Sequence, residues 1–352
     1  MKNIALMIVA GLLLVSCGEK KEGVAPDFAT ADVVYPTDSI AIDEILMPVY
    51  WNRVGKDKIV LFSEGTDTVV YAYTFPDFDF LYKWGVQGEG PEDFQGTAYG
   101  IGLSGEGDDT LRVPMRNKMR KYVVGDSTAV CVDVKPYDIR YIDEISKGPI
   151  RVGDGTFYAF PNVAIDMSGK GRRQQLVIYD DVKNEMVDSI YLDVVNVVKH
   201  HSWGVQGNIY NVPSIVVTGD TLLVVYSDLH RVEAYSISSS GKLDKIYAVG
   251  DTRGVEEISA LDWDNMPMRI EIAKSCVDKD EMYVFYFVGS SEAIDEEDLD
   301  NIKSYAVVYD MQGRVKRVKA FDRLLTNFIC HDGKVYAFNF DADFENVYIY
   351  TL

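Results

Sequence analysis

The sequence predicts an all-β protein: a six-bladed β-propeller with four-stranded blades, in which an N-terminal strand completes the last blade. Three observations carry that prediction. From about residue 35 onward, short runs rich in β-branched and aromatic residues alternate with polar turns, and 23 Tyr and 15 Phe lean the composition towards strands. A turn-then-strand signal recurs with first strand residues at 58, 110, 156, 221, 282 and 334, a loose period of about 50 residues. Further strands follow each recurrence, so the unit is a small sheet repeated six times.

The first stretch reads as an address. Lys2 supplies a positive charge, and Ile4 to Val15 is apolar and uncharged. That run is too short to span a hydrocarbon core of about 30 Å as a helix, but suits a signal peptide. Leu14-Val15-Ser16-Cys17 resembles the lipobox of bacterial lipoproteins, in which cleavage precedes the Cys and the new terminus is acylated. The resemblance implies residues 1–16 as signal peptide, lipidation at Cys17 and a membrane partner through that lipid. Gly18 follows in place of Asp, which points to the outer membrane, on its periplasmic face or at the cell surface. Residues 17–38, with Gly, Pro and charges, read as a lipidated tether, and 39–352 as the propeller.

The hairpins come next. Turn residues such as Asp154-Gly155, Gly219-Asp220 and Asp332-Gly333 precede Thr156–Phe160, Thr221–Tyr226 and Lys334–Phe338. A second strand ending in Tyr follows, as in Val69–Tyr73, Arg231–Tyr235 and Tyr305–Tyr309. A third, such as Lys242–Tyr247, closes the unit, and a fourth, such as Ser214–Val217, precedes the hairpin. Two sheets packed as a sandwich are the rival architecture, but the repeat count favours the propeller. The last repeat has three strands of its own. The segment from Ser39 to Leu46 is expected to supply the fourth, pairing the two ends of the chain and removing exposed sheet edges.

Two segments carry a resemblance. Trp84-Gly85-Val86-Gln87-Gly88-Glu89-Gly90-Pro91-Glu92-Asp93-Phe94 resembles the loop that enters the innermost strand in NHL-type propellers. Ser227-Asp228-Leu229-His230-Arg231-Val232 resembles another piece of that repeat, one residue short. With the lipobox, the chain resembles the six-bladed NHL-like or TolB-like propeller lipoproteins of Gram-negative anaerobes. This implies architecture over residues 40–352 and little about activity, since propellers host many functions.

Trp84-Gly85-Val86-Gln87-Gly88 recurs as Trp203-Gly204-Val205-Gln206-Gly207. Both copies are expected to be loops preceding an innermost strand, either blade-linking turns or part of a ligand surface. On the second reading Trp84, Gln87, Glu89, Trp203, Gln206, His230, Arg231 and Trp263 gather on one face. Trp and Gln suit stacking and hydrogen bonding. The adjoining acids suit a cationic or polyhydroxylated ligand.

Other motifs yield no chemistry. Gly100-Ile101-Gly102-Leu103-Ser104-Gly105 matches a dinucleotide fingerprint, but a strand rather than a helix follows. His200-His201 would point to opposite faces of a strand. The acidic run Glu292 to Asp300 reads as a surface helix inserted in the fifth blade. No cofactor and no metal site are predicted. Cys131, Cys276 and Cys330 are an odd count after processing, which argues against a disulfide framework and reads as small buried hydrophobes. The net charge of −20, from 55 acidic and 35 basic residues, opposes nucleic-acid binding. The expected function is non-catalytic binding of an envelope peptide, glycan or protein. A propeller enzyme of lactonase or lyase type, with a metal in the channel, and a structural envelope protein are the alternatives.

Overall fold

A computed structural model describes residues 25–352, except 43, 45–47, 64–66, 89, 91–92, 95–108, 116–117, 137–149, 153–156, 167–170, 184, 202–203, 263–265, 267, 297 and 340–344. The signal peptide and Cys17 lie outside the described residues.

The chain opens with β1 (Asp32–Val34) and β2 (Asp38–Ala41), which join blades formed much later. Blade 1 is β3 (Pro48–Val54), β4 (Lys58–Ser63), β5 (Thr68–Thr74) and β6 (Phe80–Val86). Blade 2 shows β7 (Thr110–Met115), β8 (Lys118–Val124) and β9 (Ala129–Pro136). Blade 3 is β10 (Ile150–Val152), β11 (Phe157–Asp166), β12 (Gly171–Asp180) and β13 (Glu185–Tyr191). A separate hairpin, β14 (Val195–His201) with β15 (Gly204–Tyr210), stands between blades 3 and 4.

Blade 4 is β16 (Pro213–Thr218), β17 (Thr221–Tyr226), β18 (Arg231–Ile237) and β19 (Leu243–Val249). A short helix, α1 (Val255–Ser259), leads onward to blade 5. Blade 5 is β20 (Arg269–Asp278), β21 (Glu281–Gly289), β22 (Lys303–Asp310) and β23 (Val315–Phe321). The acidic run lies between β21 and β22 as helix α2 (Ser291–Asp295) and a 3-10 turn, as expected. Blade 6 is β24 (Leu325–His331), β25 (Lys334–Asn339) and β26 (Asn346–Thr351), completed by β2.

The architecture is therefore a six-bladed β-propeller. Neighbouring first strands touch in succession, β10 to β16, β16 to β20, β20 to β24 and β24 to β3, so they ring the axis. The second and third strands are buried on both faces, β4 along its whole length, because each blade is sandwiched by its neighbours. The core is accordingly a set of seams. One apolar cluster fills the seam between blades 4 and 5, another that between blades 5 and 6, and a third joins blade 6 to blade 1. Because strands alternate in direction, the connections between blades and the turns between second and third strands share one face. We call it the upper face.

The closure is present, starting one residue before the expected Ser39 and ending at Ala41: β2 pairs antiparallel with β26, Asp38 opposite Ile349. The segment read as tether is docked in its later part. Phe28 is buried in the seam between blades 4 and 5, and β1 extends blade 5 by pairing parallel with β23. The aromatic ring of Phe28 and the partly buried Val34 explain why this stretch docks, while Val33 stays exposed.

The cysteine reading is corrected. Cys276 on β20 and Cys330 on β24 form a disulfide with Cα atoms 6.2 Å apart. Two adjacent first strands bring together thiols 54 residues apart, a pairing that counting cysteines does not reveal. Cys131 is free and exposed, not a buried hydrophobe, because β9 is the open outer edge of blade 2.

Candidate functional site

The mouth of the seam between blades 4 and 5, on the upper face, brings together a set of constrained polar groups. Three stretches build it: Asn211 and Val212 ahead of β16, Ser227 and Asp228 in the β17–β18 turn, and Arg269 to Ile272 at the start of β20. They line a cavity of about 190 Å³.

Asn211 is fully buried and takes a left-handed backbone conformation with φ of 58°. Asn tolerates that region better than most residues. Its side-chain N–H donates to the Asp193 carbonyl at 2.7 Å. Its side-chain oxygen is buried and, among the described residues, has no hydrogen-bond partner. Such an orphan acceptor in a folded protein calls for an explanation.

Asp228 accepts from the Asn211 backbone N–H at 2.8 Å and from the Ser227 hydroxyl at 3.0 Å. The Ile270 backbone N–H donates to it as well. One carboxylate thus ties the connection into blade 4 to the start of blade 5. Burial pushes its pKa above the ordinary carboxylate value, outweighing those donors and the Arg269 charge. Arg269 itself pairs with Glu271 at 2.9 Å. The cavity wall therefore carries two carboxylates, one guanidinium and one hydroxyl, with the Asn211 amide buried behind it.

Beside it lies a charge node. Arg231 is 4% exposed and pairs with Asp193, with Glu233 at 2.8 Å, and with the Arg253 carbonyl at 3.1 Å, while stacking over Tyr226. Burial alone would raise the Glu233 pKa. Hydrogen bonds from Lys245 and Tyr235 and the Arg231 charge reverse that and lower it. Asp193 also lines a second cavity of about 510 Å³, with Tyr191 and residues 254–257 at the start of α1. His230 sits in the same turn at φ of 47°, its ring 6.0 Å from that of Phe28. Burial pulls its pKa down to about 4, so the ring is neutral at pH 7.

Of the eight residues predicted to gather, His230 and Arg231 do border this mouth. Arg231 is spent on internal ion pairs. Trp84 lies within β6, and its ring packs with Tyr82 and Tyr122 in the seam between blades 1 and 2. Gln87 is exposed, one step beyond β6, in an isolated bridge to Phe94. Gln206 lies within β15, a strand and not an entry loop, which corrects the reading of the second Trp-Gly-Val-Gln-Gly copy. Glu89, Trp203 and Trp263 lie outside the described residues, as does Gly100 to Gly105. His200 and His201 are the last two residues of β14. Among the described residues, no group of three or more His, Cys, Asp or Glu side chains is placed to hold a metal.

The sequence reading missed Asn211, Arg269 and Glu271. The available signal was Asn211-Val212-Pro213, a turn residue followed by Pro at a strand start, beside the Asp228 turn already singled out.

No family model matches the chain, and no curated protein matches it. Among solved structures it is similar to BamB from Moraxella catarrhalis, at 10% identity and TM-score 0.35, covering 85% of this chain and 68% of that one. It is also similar to a luciferin-regenerating enzyme, at 10% identity and TM-score 0.42, covering 90% and 94%. A putative 6-phosphogluconolactonase from Bacteroides fragilis is similar at 12% identity and TM-score 0.36, covering 88% and 85%. The assignment to the six-bladed β-propellers rests on this chain's own sheet order and closure.

Proposed function

We propose that this protein is a non-catalytic binding module, held at the outer membrane by a lipid on Cys17, that takes a peptide, glycan or protein partner of the envelope at the upper mouth of the seam between blades 4 and 5. One observation carries the reading: the cavity at this mouth is walled by Asp228, Glu271 and Ser227. A wall rich in acceptors suits a ligand rich in donors, hydroxyls of a glycan or the ammonium of a peptide. The acidic net charge favours approach of a cationic partner.

The test is calorimetric titration of the mature protein with envelope oligosaccharides and with Lys-rich peptides, beside Glu271→Gln and Arg269→Ala. Binding that weakens about tenfold in either variant, at unchanged melting temperature, supports the mouth as the site. Equal affinity in all three proteins would move the site elsewhere. The anchor is tested separately: Cys17→Ser should shift the protein from the membrane to the soluble fraction.

A further inference from the structure

Lys274 occupies a place unlike that of the chain's other described lysines. It lies on β20, flanked by β16 and β24 and hydrogen-bonded to β21, so the open side of its strand is the axial channel. Lys274 is half-buried, on a first strand whose open edge borders that channel.

The wall is irregular at this level. The register of β20 against β21 shifts between Ile272 and Lys274, leaving Ala273 as an extra residue. The register of β24 against β25 shifts between Thr326 and Ile329, and Asn327 there has φ of 55°. The Cys276–Cys330 bridge fixes the relative height of the two strands. Lys274 and Phe328 each lie two residues before a bridged cysteine, so the bulges face one another. Bulges of this kind re-aim side chains and concentrate beside functional sites.

The amine stands in apolar company. Lys274 is opposite Phe285 in register, and Phe285 stacks on Phe328 at 4.0 Å between ring centres. Among the described residues no carboxylate pairs with it. Lys58, Lys245, Lys279, Lys316 and Lys319 each meet at least one. Burial, with no neighbouring charge contributing, pulls the Lys274 pKa down to about 8. A partly desolvated ammonium lacking a counter-charge gains more from an arriving anion than a paired one does.

We propose that Lys274 and the facing bulges of β20 and β24 form a small-oxyanion site in the channel wall between blades 5 and 6, taking a carboxylate or phosphate group. The site is separate from the mouth between blades 4 and 5, and its ligand has the opposite charge preference.

The test is titration of the mature protein with sodium acetate and with inorganic phosphate at constant ionic strength, followed by calorimetry. Saturable one-to-one binding of either anion is expected, weakened at least about tenfold in Lys274→Met and retained in Lys274→Arg. Which of the two binds distinguishes the carboxylate from the phosphate. A second readout uses the unaltered chain: reductive methylation mapped by mass spectrometry, in which the bound anion should slow modification of Lys274 and of no other lysine. Equal binding by the parent and Lys274→Met, absence of saturable binding by both anions, or unchanged methylation of Lys274 would each overturn the proposal.

Discussion

The seams on either side of blade 5 solve the same packing problem with different chemistry. Between blades 4 and 5 the mouth is held by charge and hydrogen bonds. Arg231, Asp193 and Glu233 form one node, Asp228 a second, and the Ser214 and Ser275 hydroxyls meet across the two first strands at 2.5 Å. Between blades 5 and 6 the corresponding depth holds the Phe285–Phe328 stack and the Cys276–Cys330 bridge. Apolar packing with a covalent tie is insensitive to register errors among polar groups. A polar mouth is worth keeping only where every group is satisfied, or where an unsatisfied one awaits a partner. The unpartnered Asn211 side-chain oxygen is buried on the polar side.

The comparison can be broken most severely at the apolar seam. Phe328→Ala removes a fully buried, stacked ring and is expected to cost about 4 kcal/mol, read as a lower urea midpoint at unchanged slope. At the polar seam Arg231→Met leaves Asp193 unpaired and Glu233 with Lys245 and Tyr235, an expected cost of about 3 to 4 kcal/mol in the same experiment. A near-neutral result would mean that the charge node contributes specificity and not stability.

Two smaller effects separate the seams by condition. Reducing the bridge, or replacing Cys330 by Ser, should cost about 3 kcal/mol, and thermal melting with and without dithiothreitol measures it. Acid should act on the other side. His230 has a folded pKa lowered from 6.5 to about 4, so its neutral form is favoured in the fold. That contribution is fully present above 6.5 and is lost as pH falls through the window down to 4, at most about 3 kcal/mol. Urea unfolding of the parent and of His230→Phe at pH 7 and pH 4.5 checks the sign: the variant should lose less on acidification.

Much of this was legible because blades obey local rules. Gly219-Asp220 marks the turn into β17, and Thr221 to Tyr226 was read with the same bounds that the strand has. The fourth strand of the last blade was located to within one residue at its start because one repeat visibly lacked it. What failed was long-range. Cys276 and Cys330 look like isolated apolar residues until two first strands are set side by side. The two Trp-Gly-Val-Gln-Gly copies are identical in sequence, yet one closes an outer strand and the other lies largely in an inserted hairpin. Local sequence did not specify which, since pairing with β14 overrides turn propensity. The mouth itself draws on residues near 211, 228 and 269, and no spacing rule links them.

The strand that completes blade 6 has a consequence in time. Thr37 donates to Ile349, 312 positions away, and β2 can pair only after β26 exists. During synthesis a strand made second, directly after β1, is the last to be used. The ring must stay open while the intervening blades emerge, and closing so long a loop is entropically slow. A chain emerging from a ribosome or a translocation pore would expose the free edge of β26 at the final step. Circular permutants that place β2 directly after β26 should therefore refold faster than the parent, although the finished ring would be the same.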